Sequence, residues 1–226
     1  MQKKALTTAI SLAISSPLFA NDVSFYAGGA LLNTTLEVKY KQIPTAMLPN
    51  DDGVFESDDS ATALKIFGGA RWRLSKGFYG LEAAYEDGQS EATVILFPMS
   101  MPIFPQADFK DNDSFSLSFM GGYEFYQNTF LTVRVGYIRT NFDYKVYDTS
   151  STTVVDSGDD TLSGIQIAVG VEYYFTDTFG MRVEYSEADY SDSIGPVNAD
   201  GGFTGALAEF DDIARDAISI GIFTNF

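Results

Sequence analysis

Residues 114–125 read SFSLSFMGGYEF. Alternate positions hold Phe115, Leu117, Phe119, Gly121, Tyr123 and Phe125; between them lie Ser114, Ser116, Ser118, Met120, Gly122 and Glu124. A period of two is that of an extended strand, whose successive side chains leave on opposite faces. One face is apolar and the other is small, polar or charged, so the two faces meet different surroundings. The split recurs in LKIFGGARWRL (residues 64–74), where Leu64, Ile66, Gly68, Ala70, Trp72 and Leu74 oppose Lys65, Phe67, Gly69, Arg71 and Arg73. It recurs again in GIQIAVGVEYYF (residues 164–175), with Ile165, Ile167, Val169, Val171, Tyr173 and Phe175 on the apolar side.

Working outward, the pattern predicts eight strands, near 23–40, 61–74, 78–87, 114–126, 130–144, 161–175, 179–190 and 213–226. Their connections alternate in length. Three are tight, at residues 75–77, 127–129 and 176–178; four are long, at about 41–60, 88–113, 145–160 and 191–212. Long and short connections at opposite ends describe an up-and-down meander. Residues 1–20, MQKKALTTAISLAISSPLFA, have Lys3 and Lys4, an apolar stretch and a small residue at Ala20. They read as a cleaved secretory signal peptide, leaving 21–226 as one domain. An exported meander with an apolar outer band closes as a barrel in a bilayer, which removes every unpaired edge. The expected fold is therefore all-β, an eight-stranded antiparallel up-and-down transmembrane β-barrel. A soluble barrel or secreted sandwich fits less well. Aromatics on the apolar face (Tyr26, Tyr40, Trp72, Tyr79, Tyr85, Tyr123, Phe125, Tyr173, Phe175) lie towards strand ends, where interfacial girdles belong.

Composition narrows the function. Removing Lys3 and Lys4 leaves 12 basic residues against 31 acidic, which argues against a nucleic-acid partner. Cys is absent, so no disulfide framework holds an exported chain. His is absent too, which removes Ser-His-acid and Cys-His catalysis. Paired carboxylates such as Glu184 and Glu187, or Asp58 and Asp59, read as lumenal or solvated charge rather than acid–base pairs, so no enzyme is expected. The run DDGVFESDD (residues 51–59) lacks the spacing of a calcium loop, and no metal site or cofactor is expected.

The last strand, DAISIGIFTNF, ends on Phe226 and resembles the C-terminal signal of Gram-negative outer-membrane barrels. The segments at 77–88 and 171–185, GFYGLEAAYEDG and VEYYFTDTFGMRVEY, resemble strand–turn–strand units of the OmpA-like and OmpX-like eight-stranded family. The resemblance implies an outer-membrane location, Phe226 as the signal read by the barrel-assembly machinery, and contact with lipid and lipopolysaccharide. It concerns the barrel domain alone: no peptidoglycan-binding domain follows Phe226, so cell-wall tethering is not expected.

Two features point to function. Eight strands enclose an interior that side chains just fill, and charges on the inward parity are expected to pair. Glu124 with Arg134 and Glu172 with Arg182 each lie ten apart across a turn, and Arg71 and Arg73 are expected to face Glu82. Glu37, Lys39, Lys65, Glu86, Glu184 and Arg215 are placed on the same face. An unpaired charge there costs several kcal/mol, so the interior reads as a salt-bridged plug, or else as a narrow conduit gated by exchanging ion pairs, as is proposed for OmpA-like barrels. The second feature is VILFPMSMPIFP (residues 94–105), whose prolines deny it a full strand. Ile43, Met47 and Leu48 of the first long loop are expected to pack on Ile95, Phe97, Met99, Met101, Ile103 and Phe104 as an extracellular lid. Alternatively these residues face an extracellular protein or ligand, or dip into the outer leaflet. The segment at 144–160 is expected to prolong its strands as a protruding hairpin. The leading expectation is a barrel scaffold that displays four loops, for envelope integrity and surface interaction or adhesion. The other is a narrow pore or small-solute channel gated by the ion pairs and the 94–105 loop.

Overall fold

Strands form where the alternation predicts them, and they run further. The computed structural model describes residues 23–43, 52–88, 90–95, 106–147, 153–198 and 207–226. Ten strands make up most of this: β1 Val23–Ile43, β2 Asp52–Leu74, β3 Gly77–Asp87, β4 Glu91–Ile95, β5 Gln106–Tyr126, β6 Thr129–Tyr147, β7 Val154–Tyr174, β8 Phe179–Tyr190, β9 Ile194–Asn198 and β10 Leu207–Asn225. Every pairing is antiparallel, and the order β1-β2-β3-β5-β6-β7-β8-β10 closes when β10 pairs with β1. The short β4 follows β3 along the same neighbour, β5, and β9 follows β8 along β10. The ring therefore has eight staves, two of them interrupted. The expected signal peptide lies outside the described residues, as do Met47, Leu48, Phe97, Met99, Met101, Ile103 and Phe104. Ile43 and Ile95 are described only as the last backbone positions of β1 and β4.

The long connections are shorter than the sequence suggests. Pairing of β1 with β2 continues to Lys41 and Asp52, and that of β6 with β7 to Tyr147 and Val154. Val94 and Ile95 are not loop but the end of β4, opposite Ala107 and Gln106. A strand that need not cross the bilayer can be short, and the proline constraint begins only at Pro98.

Two belts of aromatic side chains bound the apolar outer wall. At the short-turn end Trp72 stacks on Tyr79 at 5.4 Å, and Tyr173 meets Phe175 edge-on at 5.2 Å. At the other end Tyr85, Phe115, Tyr137 and Tyr185 stand exposed on the outer face. Tyr26 does not belong to either belt: it is buried in the lumen, because the even positions of β1 point inward. Between the belts the wall is aliphatic, with Leu117, Leu131, Val133, Ile167 and Ile220 exposed. Val133→Arg, near the middle of this wall, should lower stability by about 2–4 kcal/mol. Urea titration of the refolded protein in lipid vesicles checks this.

The tight turn at Gln127–Asn128 sets one register. Asn128 adopts φ 59°, a left-handed conformation that Asn tolerates better than most residues. With only two residues in the turn, Thr129 returns opposite Tyr126. The connection after β7 is longer, so Tyr174 pairs with Gly180.

Candidate functional site: the lumen and the extracellular head

Inside the barrel the side chains form three tiers. The lowest is aromatic. Tyr26, Phe67, Phe78 and Phe223 are buried, and the Arg71 guanidinium lies 3.8 Å from the Tyr26 ring centre and 4.4 Å from that of Phe78. Gly122 makes the room, since a β-carbon there would strike the Phe78 ring. Below this tier a cavity of about 210 Å³ opens at the short-turn mouth, with Arg73, Glu124 and Asp177 in its lining.

The middle tier is an unbroken alternation of charge. Arg71 donates to Glu172 at 2.8 Å, and Arg182 donates to Glu172 at 2.8 Å and to Glu82 at 2.7 Å. Arg134 lies 3.6 Å from Glu82 and 2.7 Å from Glu184. Lys65 lies 3.5 Å from Glu184 and 3.3 Å from Glu86. Arg215 donates to Glu86 and lies 3.3 Å from Asp111. Five cations thus face five carboxylates, all buried, and their formal charges cancel. Neutral partners take up further valences: Arg134 also donates to Ser118 and to the Gln166 carbonyl at 2.8 Å, and the Tyr26 hydroxyl donates to Glu82 at 2.8 Å.

The network joins several of the expected residues, in partly different pairs. Glu172 and Arg182 are direct cross-strand neighbours and do meet. Glu124 and Arg134 do not. The two-residue turn, with a register shift between Glu124 and Tyr126, puts Glu124 opposite Phe130 and Arg134 opposite Met120, so equal spacing in sequence is not equal spacing in register. Glu124 instead accepts from the Asn128 N–H at 3.1 Å. Arg71 reaches across the lumen to Glu172 rather than Glu82, and Arg73 is exposed at the mouth. Glu37 and Lys39 point outward and pair with each other at 3.4 Å, since Leu36 and Val38 hold the inward positions of β1. Sequence reasoning missed Asp111. A register shift between Asp111 and Ser114 moves the inward face from even to odd positions, so parity counted from Ser116 places Asp111 outside.

The upper tier is apolar, and here the alternation inverts. On β6, Tyr137 and Val135 face outward within the band. Beyond them Ile138, Phe142 and Val146 are buried inside, while Arg139, Asn141, Asp143 and Lys145 are exposed. Leu36, Val38, Phe109, Leu162, Phe210 and Ile213 belong to the same cluster. Phe109 meets Phe210 at 4.3 Å and Phe142 meets Tyr190 at 5.3 Å. Among the described residues this head is not a closed ring of hydrogen bonds. Among the described residues β2 has no ladder partner on one side below Leu64, and β7 has none on its β8 side before Gly164. The head therefore consists of two four-stranded sheets, β9-β10-β1-β2 and β4-β5-β6-β7, facing each other across an apolar interior. At the β3–β4 break Ser90 contacts Thr34 and its N–H donates to Asp111 at 2.5 Å. Burial pushes the Asp111 carboxyl above its ordinary value, against the pull of Arg215.

A closed antiparallel ring, an aliphatic wall between aromatic belts and a polar lumen define a transmembrane β-barrel of the outer-membrane type. The sequence matches the outer membrane protein beta-barrel domain family over residues 5–226, and the chain belongs to that family, which places it in the outer membrane of a Gram-negative bacterium. No curated protein matches it. Among solved structures it is similar to the outer membrane protein OprG from Pseudomonas aeruginosa, at 15% identity and TM-score 0.55, covering 91% of this chain and 96% of that one. It is also similar to Ail, the attachment invasion locus protein of Yersinia pestis, at 11% identity and TM-score 0.43, covering 91% and 98%. At such identities the likeness is one of fold.

Proposed function

We propose that the protein is a closed outer-membrane scaffold that holds four extracellular loops for surface interaction or adhesion and adds a rigid element to the envelope. The observation that carries this reading is the filled lumen. A charge-neutral network occupies its middle and an apolar core its extracellular end, and the cavity of about 210 Å³ lies at the short-turn mouth. An ion crossing the barrel would have to separate buried pairs and then enter hydrocarbon-like packing, and each step costs several kcal/mol. The aromatic belts hold the wall among lipid and lipopolysaccharide. Phe226, exposed and joined to Phe25 by hydrogen bonds of 2.9 and 3.2 Å, is the contact read by the barrel-assembly machinery. The chain holds no His and no Cys, and catalysis forms no part of the reading.

Planar-bilayer recording of the refolded protein tests the proposal. The expected result is no resolvable current, both for the whole protein and for a variant lacking residues 94–105. Steady current from the intact protein would overturn it in favour of a pore. Current that arises only on deletion would make that segment a lid.

A further inference from the structure

The two seams of the head leave strand edges, and these are not equivalent. β9 carries Pro196, which has no N–H to offer a partner, and β4 lies alongside β2. Among the described residues the β7 edge from Val154 to Thr161 carries no proline and has no ladder partner; β9 comes near it without pairing. At its base Ser163 turns both backbone groups towards the seam: its carbonyl accepts from the Ser191 N–H at 3.0 Å, and its N–H donates to the Asp192 carboxylate at 3.1 Å. Alternation turns the N–H and C=O groups of Thr161, Asp159 and Ser157 the same way. The Thr161 N–H is held at 2.7 Å by the carboxylate of Asp160. At two successive edge donors, then, a carboxylate stands where the carbonyl of a neighbouring strand would stand.

The charge of this edge is one-sided. Asp156, Asp159 and Asp160 lie along it and Asp192 closes its base. Their field is felt next door: burial, with the three β7 carboxylates adding to it, pushes the Tyr144 phenol above its ordinary value. We propose that the β7 edge takes, by strand addition, an extended segment of a partner protein with Lys or Arg at alternate positions. The proposal rests on the surface-interaction reading and names its partner chemistry. Backbone hydrogen bonds supply the attachment, and the carboxylates they displace become free to bind the incoming cations. A second copy of this chain, bringing the same carboxylates, is repelled, so the charge also selects against self-association.

The test uses the full barrel in zwitterionic bicelles and a labelled nine-residue peptide alternating Lys with Thr or Val, read by fluorescence anisotropy. Three controls accompany it: the same peptide with Glu for Lys, one of the same charge with a central proline, and the barrel variant Thr161→Pro. The Thr161 N–H points away from β6, so that substitution leaves the β6–β7 ladder intact. The Lys peptide is expected to bind and the Glu peptide not to. Binding should fall at least tenfold for the proline-containing peptide, for Thr161→Pro, and for the combined Asp159→Asn, Asp160→Asn and Asp192→Asn variant. Failure of the Lys peptide to bind overturns the proposal. So does equal binding of the proline-containing peptide, which would reduce the effect to charge alone. Bilayer recordings on the same samples keep the two readings apart: a silent barrel that ignores the peptide loses only the edge assignment, whereas a conducting barrel loses the scaffold reading.

Discussion

Arg182→Met will cost the barrel about 3–5 kcal/mol of unfolding free energy, because it leaves buried carboxylates without their principal cation. Arg182 is the hub of the network, bonded to Glu172 and Glu82 and within 4.0 Å of Glu184. Glu172 keeps Arg71, but Glu82 is left with the Tyr26 hydroxyl and Arg134 at 3.6 Å. Methionine fills most of the vacated volume, so the loss is electrostatic rather than a cavity. Adding Glu82→Gln should therefore restore a substantial part of the stability, which a packing defect would not permit. Arg73→Met is the contrast: that side chain is exposed at the mouth, and its loss should shift stability by no more than about 0.5 kcal/mol. Urea unfolding in lipid vesicles, followed by tryptophan fluorescence from Trp72, measures all three. Equal effects of Arg182→Met and Arg73→Met would refute the network as a source of stability.

Phe109→Ala will loosen the head without dissolving the barrel. Phe109 is fully buried and meets Phe210 of the opposite sheet edge-on. Removing a packed phenyl ring costs about 3–5 kcal/mol. Where that cost falls is set by the architecture. No ladder joins the two sheets of the head among the described residues, so side-chain packing is what holds them together. The band below is closed by continuous hydrogen bonding and keeps its own ion pairs. Hydrogen exchange should therefore accelerate in residues 106–111, 142–147 and 207–213, and remain slow in 115–123 and 165–173. Phe210→Ala should produce the same map, and the double variant should cost less than the sum of the two. Uniform acceleration throughout the barrel would refute the separation.

The wall of this barrel is legible in the sequence because one rule governs it. Lipid accepts only apolar side chains, so Leu117, Ile167 and Ile220 mark their face without ambiguity. The lumen is harder to read. Its side chains choose partners across the interior as well as along the sheet, and turn length shifts register between strands. Glu172 with Arg182 was readable because a longer connection brings them level; Glu124 with Arg134 was not, because two turn residues set that hairpin four positions out. Of the head, the protruding hairpin at 144–160 was legible, and the β6–β7 ladder runs out to Tyr147 and Val154; its apolar interior was missed for a different reason. Its signal is present in IRTNFDYKV (residues 138–146), where the apolar parity passes from odd to even, but that reversal resembles an ordinary polar loop unless the strand is allowed to leave the membrane. The register shift that hides Asp111 compounds this.

The division of the head into two sheets groups the connecting tips in pairs. The chain between β1 and β2 and that between β9 and β10 spring from one sheet; those between β4 and β5 and between β6 and β7 spring from the other. Natural drift or laboratory grafting can thus remodel one pair of tips while the mounting of the other pair stays as it was. The tips fall into two pairs, each mounted on its own sheet, and a change confined to one pair reaches the other only through the packed interior between them.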